Sequence, residues 1–132
     1  MRQTGPEEAP LILIIEDEPR IRRFLRLALE VQGCSVLEAG TAEAGVALAA
    51  SRQPDVVLLD LGLPDCDGLD AARAIREQSR VPIVVISARA QEQSKSIAYA
   101  AGVDEYLVKP FNLDELNQVV LSIVRRRSGA PG

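Results

Sequence analysis

A chain of 132 residues with 47% apolar and 26% charged side chains has the make-up of one globular domain, with no room for a second of ordinary size. Its formal net charge of −4 argues against non-specific binding of a phosphate backbone by the domain as a whole. The absence of histidine excludes His-ligated zinc, Ser-His-Asp chemistry and an internal phosphohistidine.

The elements read in chain order. Residues 1–10 carry Glu7 and Glu8 without an apolar run and are expected to be a disordered leader, not a signal peptide. Leu11 to Ile15 is a short apolar strand that ends in Glu16-Asp17-Glu18. Pro19 opens a helix with Ile21, Phe24, Leu25, Ala28 and Leu29 on one face, stopped by Gly33. Ser35 to Ala39 is a weaker strand, and Thr41 caps a helix that turns Ala44, Leu48 and Ala49 inward before Pro54. Val56 to Leu59 reads as a strand buried on both faces, with Asp60 where it emerges. A helix from about Leu69 to Ser79 follows, then a strand from Pro82 to Ile86 ending at Ser87. An Ala-rich helix over about Gln91 to Ala101 stops at Gly102, and Glu105 to Val108 is a fifth strand before Lys109-Pro110. The last helix starts at Asn112, with Glu115 as its capping-box partner, and runs to Arg125-Arg126-Arg127, a solvated helix end. Residues 128–132 are expected to be a tail or the start of a linker. No stretch approaches the length of a membrane span. Cys34 and Cys66 form no C-x-x-C pair and are expected to be reduced thiols in a cytoplasmic protein, Cys66 an incidental one.

Strict alternation of strand and helix argues for an α/β fold, a parallel sheet with helices on both faces. The C-terminal ends of parallel strands share one edge, so topology alone gathers Glu16, Asp17, Asp60, Ser87 and Lys109. Two like charges about 4 Å apart repel by roughly 4 kcal/mol at an effective dielectric near 20. Three carboxylates against one lysine therefore take up protons or bind a hard cation. With oxygen donors, room for water and no soft ligands, Mg²⁺ (or Mn²⁺) fits better than a Ca²⁺ cage. A cation, a lysine, a hydroxyl and a carboxylate nucleophile together suit phosphoryl transfer.

The segments ILIIEDEP, DVVLLDLGLPDCDG, VVISAR and GVDEYLVKPF, in this order, resemble the receiver domain of bacterial two-component response regulators over about residues 11–127. IEDEPRIRRFLRLALE and LLDLGLPDCDGLD resemble in particular the OmpR-like branch and its Kdp-type regulators of potassium uptake. The resemblance implies a doubly wound, CheY-like sheet in the order 2-1-3-4-5. It implies that Asp60 accepts a phosphoryl group from the phosphohistidine of a sensor histidine kinase. It implies Asp17, Asp60 and the Gly62 carbonyl as metal ligands, with Glu16 acting through a water. Lys109 would hold a phosphoryl oxygen, Ser87 would close onto it in place of the commoner threonine, and Tyr106 would turn inward with Ser87. A cis Lys109-Pro110 peptide is implied as well. DNA would be reached only through an output domain outside this chain, and no membrane is involved.

Other readings stand beside these. Glu16 and Asp17 would cap the helix at Pro19, and Asp65, Asp67 and Gly68 are better turn and cap residues than ligands. A haloacid-dehalogenase-like phosphatase would share the Asp, Mg²⁺ and Lys but wants an acid two residues after the nucleophile, where Gly62 stands. A phosphorylation-independent pseudo-receiver conflicts with the intact Asp17/Asp60/Lys109 set, and a flavodoxin with the lack of a phosphate loop after the first strand. Arg89, two residues after Ser87, is expected partly to cover the phosphoryl group. OmpR-like receivers form homodimers through the fourth helix, fifth strand and fifth helix by charge pairs, and Lys95, Asp104 and Glu105 match parts of that pattern. Val119 and Leu121 stand where the pattern has arginines, beside a core stripe of Leu116, Val120 and Ile123. The ionic dimer is therefore expected to be weakened.

Overall fold

The computed structural model describes residues 9–63, 65 and 67–127. Most of the leader, Cys66 and the tail lie outside the described residues, and with them what the sequence leads one to expect there. Within them, five strands alternate with five helices: β1 Leu11–Ile15, α1 Pro19–Val31, β2 Ser35–Ala39, α2 Ala42–Arg52, β3 Val56–Asp60, α3 Gly68–Gln78, β4 Ile83–Ser87, α4 Glu92–Ala100, β5 Glu105–Val108 and α5 Leu113–Arg127. All pairings are parallel and the order is β2-β1-β3-β4-β5. The order reverses between β1 and β3, which opens the crevice where ligands bind in such sheets.

Period-two alternation divides the core into two layers. Leu13, Ile15, Val57, Leu59, Ile83 and Val85 face Ala42, Ala49, Ala71, Ala72, Ile75 and Ala98 of α2, α3 and α4. Ile12, Ile14, Val56, Leu58, Val84 and Ile86 face Leu25, Ala28, Leu29, Leu116, Val120 and Ile123 of α1 and α5. Covering both faces explains why β3 and β4 read as unbroken apolar runs. Each fully buried Val, Leu or Ile contributes about 1.5–3 kcal/mol. The core is therefore ample without disulfides or metal.

The helix faces differ from the sequence reading at two positions. Phe24 is 43% exposed, because Leu25, Ala28 and Leu29 already fill the space over the sheet. Ala44 is also exposed, and α2 instead lays Ala42, Gly45 and Ala49 on the sheet. A Cβ at Gly45 would lie 2.6 Å from Ile15 Cγ1, so glycine is what lets α2 approach β1 this closely.

The caps follow their side chains. Thr41 Oγ1 accepts from the Ala44 N–H at 3.1 Å. Asn112 and Glu115 bond reciprocally, Asn112 Oδ1 accepting from Glu115 N–H at 2.8 Å and Glu115 Oε1 from Asn112 N–H at 3.0 Å. Asp67 Oδ1 accepts from Leu69 N–H at the start of α3. The expected cis Lys109–Pro110 peptide is present.

Candidate phosphoryl and metal site

Register brings the site together. Ile15 lies opposite Leu59, so Glu16 follows β1 level with Asp60 at the end of β3. Asp60 pairs with Ile86 and Ser87 with Val108, so Ser87 and Lys109 each stand one step beyond their neighbours' last core residue. Glu16, Asp17, Glu18, Ile21, Asp60, Leu61, Gly62, Ser87, Ala88, Arg89 and Lys109 line one cleft of about 390 Å³. Every metal, acceptor and hydroxyl residue expected from the sequence borders it; Tyr106 does not, and its hydroxyl reaches the carbonyl of Arg89 instead.

Glu16, Asp60 and Ser87 are the buried polar residues among those described, 1%, 6% and 4% exposed, while Asp17 stands exposed at the rim. One carboxylate oxygen from each of Glu16, Asp17 and Asp60 falls within 4.8 Å of the others. Lys109 Nζ lies 3.4 Å from Asp60 Oδ1 and 3.8 Å from Glu16 Oε1. Glu16 Oε2 accepts from the Glu18 N–H at 3.0 Å, but buried Oε1 has no hydrogen-bond donor. Burial, and then repulsion from Asp60, push the Glu16 carboxyl up to about 7, against the lowering effects of the Glu18 N–H and Lys109. A buried carboxylate oxygen without a donor, next to two more carboxylates, is what a hard divalent cation would satisfy. The donor set fits Mg²⁺.

The helix cap expected of Glu16 or Asp17 is made by neither. Glu18 is the N-cap of α1, its Oε1 accepting from Arg20 N–H at 3.2 Å. That leaves the Asp17 carboxylate to the cleft. Gly62 donates its N–H to Asp60 Oδ1 at 3.2 Å, and a Cβ there would sit 3.8 Å from the same oxygen. Any larger side chain at position 62 would start its reach beside the Asp60 carboxylate. Ser87 Oγ accepts from the Arg89 N–H at 3.0 Å, and the Tyr106 hydroxyl donates to the Arg89 carbonyl at 2.7 Å.

Two contributors escaped the sequence reading. Asp65 does cap, as expected, but it caps α2 across the chain, its two oxygens accepting from Ala42 N–H at 2.9 Å and Glu43 N–H at 3.1 Å. These bonds hold its carboxyl below the usual range. Arg22 reaches from α1 to the Glu16 carbonyl. The Asp65 bonds and the Arg22–Glu38 pair are long-range, whereas the Glu16 carbonyl lies only six residues before Arg22.

The family pattern of the response regulator receiver domain matches residues 12–121. The chain is 50% identical over 117 residues to the KDP operon transcriptional regulatory protein KdpE of Escherichia coli, a match covering 89% of this chain and 52% of that protein. It is 43% identical over 120 residues to the transcriptional regulatory protein KdpE of Mycobacterium tuberculosis, covering 91% and 53%. The chain thus spans about half the length of these curated relatives. Among solved structures, the receiver domain of the sensor histidine kinase PA1611 from Pseudomonas aeruginosa superposes with a TM-score of 0.81 at 31% identity, over 88% of this chain and 98% of that one. That structure holds a magnesium ion in its active-site cleft.

Proposed function

The chain belongs to the response regulator receiver domain family, and on that premise we propose that Asp60 is its phosphoacceptor. It is a KdpE-like receiver domain of a two-component response regulator, a signalling protein. The observation that carries the assignment is Asp60 itself, a buried carboxylate with Lys109 Nζ at 3.4 Å and two further carboxylates beside it.

On this reading an Asp60 carboxylate oxygen attacks the phosphorus of a sensor kinase's phosphohistidine. A P–O bond forms, the P–N bond breaks, and the imidazole leaves with the bonding pair. Asp17, Asp60 and the Gly62 carbonyl would hold Mg²⁺, with Glu16 acting through a water. When bound, the cation offsets the charge gathered on the phosphoryl oxygens. Lys109 holds one of those oxygens. The Ser87 hydroxyl, whose oxygen already accepts from Arg89, keeps its proton free to donate to another. Arg89 lines the same cleft and would cover the phosphoryl group from the β4 side. Catalysis is limited to the chain's own phosphorylation and dephosphorylation, since no acid stands at position 62 to drive turnover on a separate substrate.

The relatives are transcriptional regulatory proteins, which supports a cytoplasmic regulator that would reach DNA through an output domain, with a weakened homodimer on the α4-β5-α5 face. No described helix is long and apolar enough to cross a membrane. Intact mass after incubation with a small phosphodonor tests the assignment. The parent should gain one phosphoryl group only with Mg²⁺ present, and Asp60→Asn should gain none. Labelling of that variant, or metal-independent labelling of the parent, would overturn it.

A further inference from the structure

We infer that Arg22 is a positioning residue for the divalent-cation site, acting on Asp17 and Glu16 through their shared peptide. The inference rests on the metal reading proposed above. β1 leaves its ladder at Ile15, which pairs with Ala39 on one side and Leu59 on the other. Beyond it, the Glu16 N–H still donates to the Ala39 carbonyl at 3.0 Å, but the Glu16 carbonyl has left the strand pairing. Arg22 Nη1 donates to that carbonyl at 2.8 Å. The same guanidinium donates from Nε to Glu38 Oε1 at 2.9 Å, on edge strand β2. Glu38 is also ion-paired with Arg26, whose Nε lies 3.3 Å from Glu38 Oε2. Gly40 leaves room for the fork, since a Cβ there would meet Arg22 Nη1 at 3.3 Å.

The carbonyl of Glu16 and the N–H of Asp17 belong to one planar peptide. Fixing that carbonyl from α1, with the fork itself anchored on β2, fixes the plane from which the Asp17 side chain departs. Asp17 is the exposed member of the carboxylate trio, with the least packing of its own to orient it. Outer groups that orient ligands in this way commonly govern metal affinity.

Charge and positioning make opposite predictions here. On Coulomb's law alone, deleting a guanidinium near an acidic cation site tightens cation binding. Deleting the group that orients the ligands loosens it. The test is calorimetric titration of the chain with Mn²⁺, alongside thermal unfolding of each variant in chelator. Arg22→Met should bind Mn²⁺ about tenfold more weakly or worse, the low end for outer-shell partners. Arg22→Lys keeps the charge but lacks the fork that serves Glu16 and Glu38 together, and should remain at least about threefold weaker than the parent. It carries the test if Arg22→Met does not fold. Glu38→Gln keeps an acceptor for Nε while leaving the arginine charge uncompensated, and its smaller loss should vanish at high salt. Arg22→Met binding Mn²⁺ as well as or better than the parent would overturn the inference, as would full affinity in Arg22→Lys, or a salt-dependent loss in Glu38→Gln as large as that of Arg22→Met. A parent that binds no Mn²⁺, or an Asp60→Asn variant that binds it like the parent, would instead refute the metal reading itself.

Discussion

Ser87 and Tyr106, from neighbouring strands β4 and β5, fasten the same residue: Ser87 Oγ accepts from the Arg89 N–H at 3.0 Å, and the Tyr106 hydroxyl donates to the Arg89 carbonyl at 2.7 Å. The start of the β4–α4 loop is therefore held from both sides. A phosphoryl group that draws Ser87 toward Asp60 pulls on the segment that Tyr106 grips. Groups that share one partner couple, typically by about 0.5–3 kcal/mol, whereas independent sites add within about 0.3–0.5 kcal/mol. Affinity for a phosphoryl mimic such as beryllofluoride, measured in Ser87→Ala, Tyr106→Phe and the double variant, should be non-additive. Additive losses would show that the two side chains act separately.

Glycines 62 and 68 flank the same loop and should answer oppositely to alanine. A Cβ at Gly68 would lie 2.6 Å from Leu61 Cα and 3.1 Å from the Asp60 carbonyl oxygen, both backbone atoms that cannot swing aside. Gly68→Ala should cost about 1–3 kcal/mol as an overpacked position and move the stretch after Asp60. At Gly62 the added atom would meet only the Asp60 carboxylate, at ordinary contact distance. Gly62→Ala should leave stability nearly unchanged. Chemical denaturation of both variants checks the contrast, which fails if they are destabilised alike.

The Asp65 cap makes a pH prediction of definite sign. Its carboxyl is held low first by the Ala42 N–H and then by the Glu43 N–H, relative to an ordinary value of 3.8. A carboxyl whose folded value lies below its unfolded one stabilises the fold above the unfolded value, and that stability is lost as pH falls through the folded value. Asp65→Asn removes the charge and can keep one acceptor. The parent's advantage over this variant should be full at neutral pH and shrink below pH 3.8. Thermal midpoints across that range test it, and a gap independent of pH would show that the carboxylate charge contributes nothing.

The sheet and its edge were legible in the sequence because they depend on local pattern. Four apolar runs end in Glu16, Asp60, Ser87 and Lys109, and parallel topology does the rest. Caps signalled by spacing, Thr41 and the Asn112/Glu115 pair, were equally plain. What stayed hidden depends on which helix lies over which strand. Phe24 shares its helical turn with Leu25, and only the position of α1 over β1 and β2 decides that Leu25 goes in. Asp65 read as a local turn or cap residue because the N–H donors it serves lie 22 and 23 positions earlier. Arg22 joins the end of β1, six residues back, to Glu38 of β2, sixteen residues on, a bridge that depends on how α1 crosses the sheet.

Association through α4, β5 and α5 is where this chain should depart most from an ionic pattern. Leu116, Val120 and Ile123 form the buried stripe of α5, Val119 packs partly against that core, and Leu121 is half-buried outside it. Asp104, a carboxylate the ionic pattern would use between copies, is committed within its own chain. Its Oδ2 accepts from Arg76 Nη2 at 3.0 Å and from the Ile83 N–H at 2.8 Å. Arg76 also donates to the carbonyls of Ser79, Val81 and Gly102, so withdrawing it would strip several acceptors at once. Lys95 stands 3.9 Å from Glu92, one turn away on its own helix. A face with Asp104, one of its two acids, engaged and apolar side chains in place of arginines should associate weakly and with little regard for salt, since exposed charge pairs are the ones most screened. Sedimentation of the beryllofluoride-bound chain at low salt and at about 0.5 M salt should therefore give a monomer, or a weak dimer of equal strength in both. A tight dimer that falls apart as salt is added would show that Asp104 leaves Arg76 for a partner copy, and that the charge network survives without the two arginines.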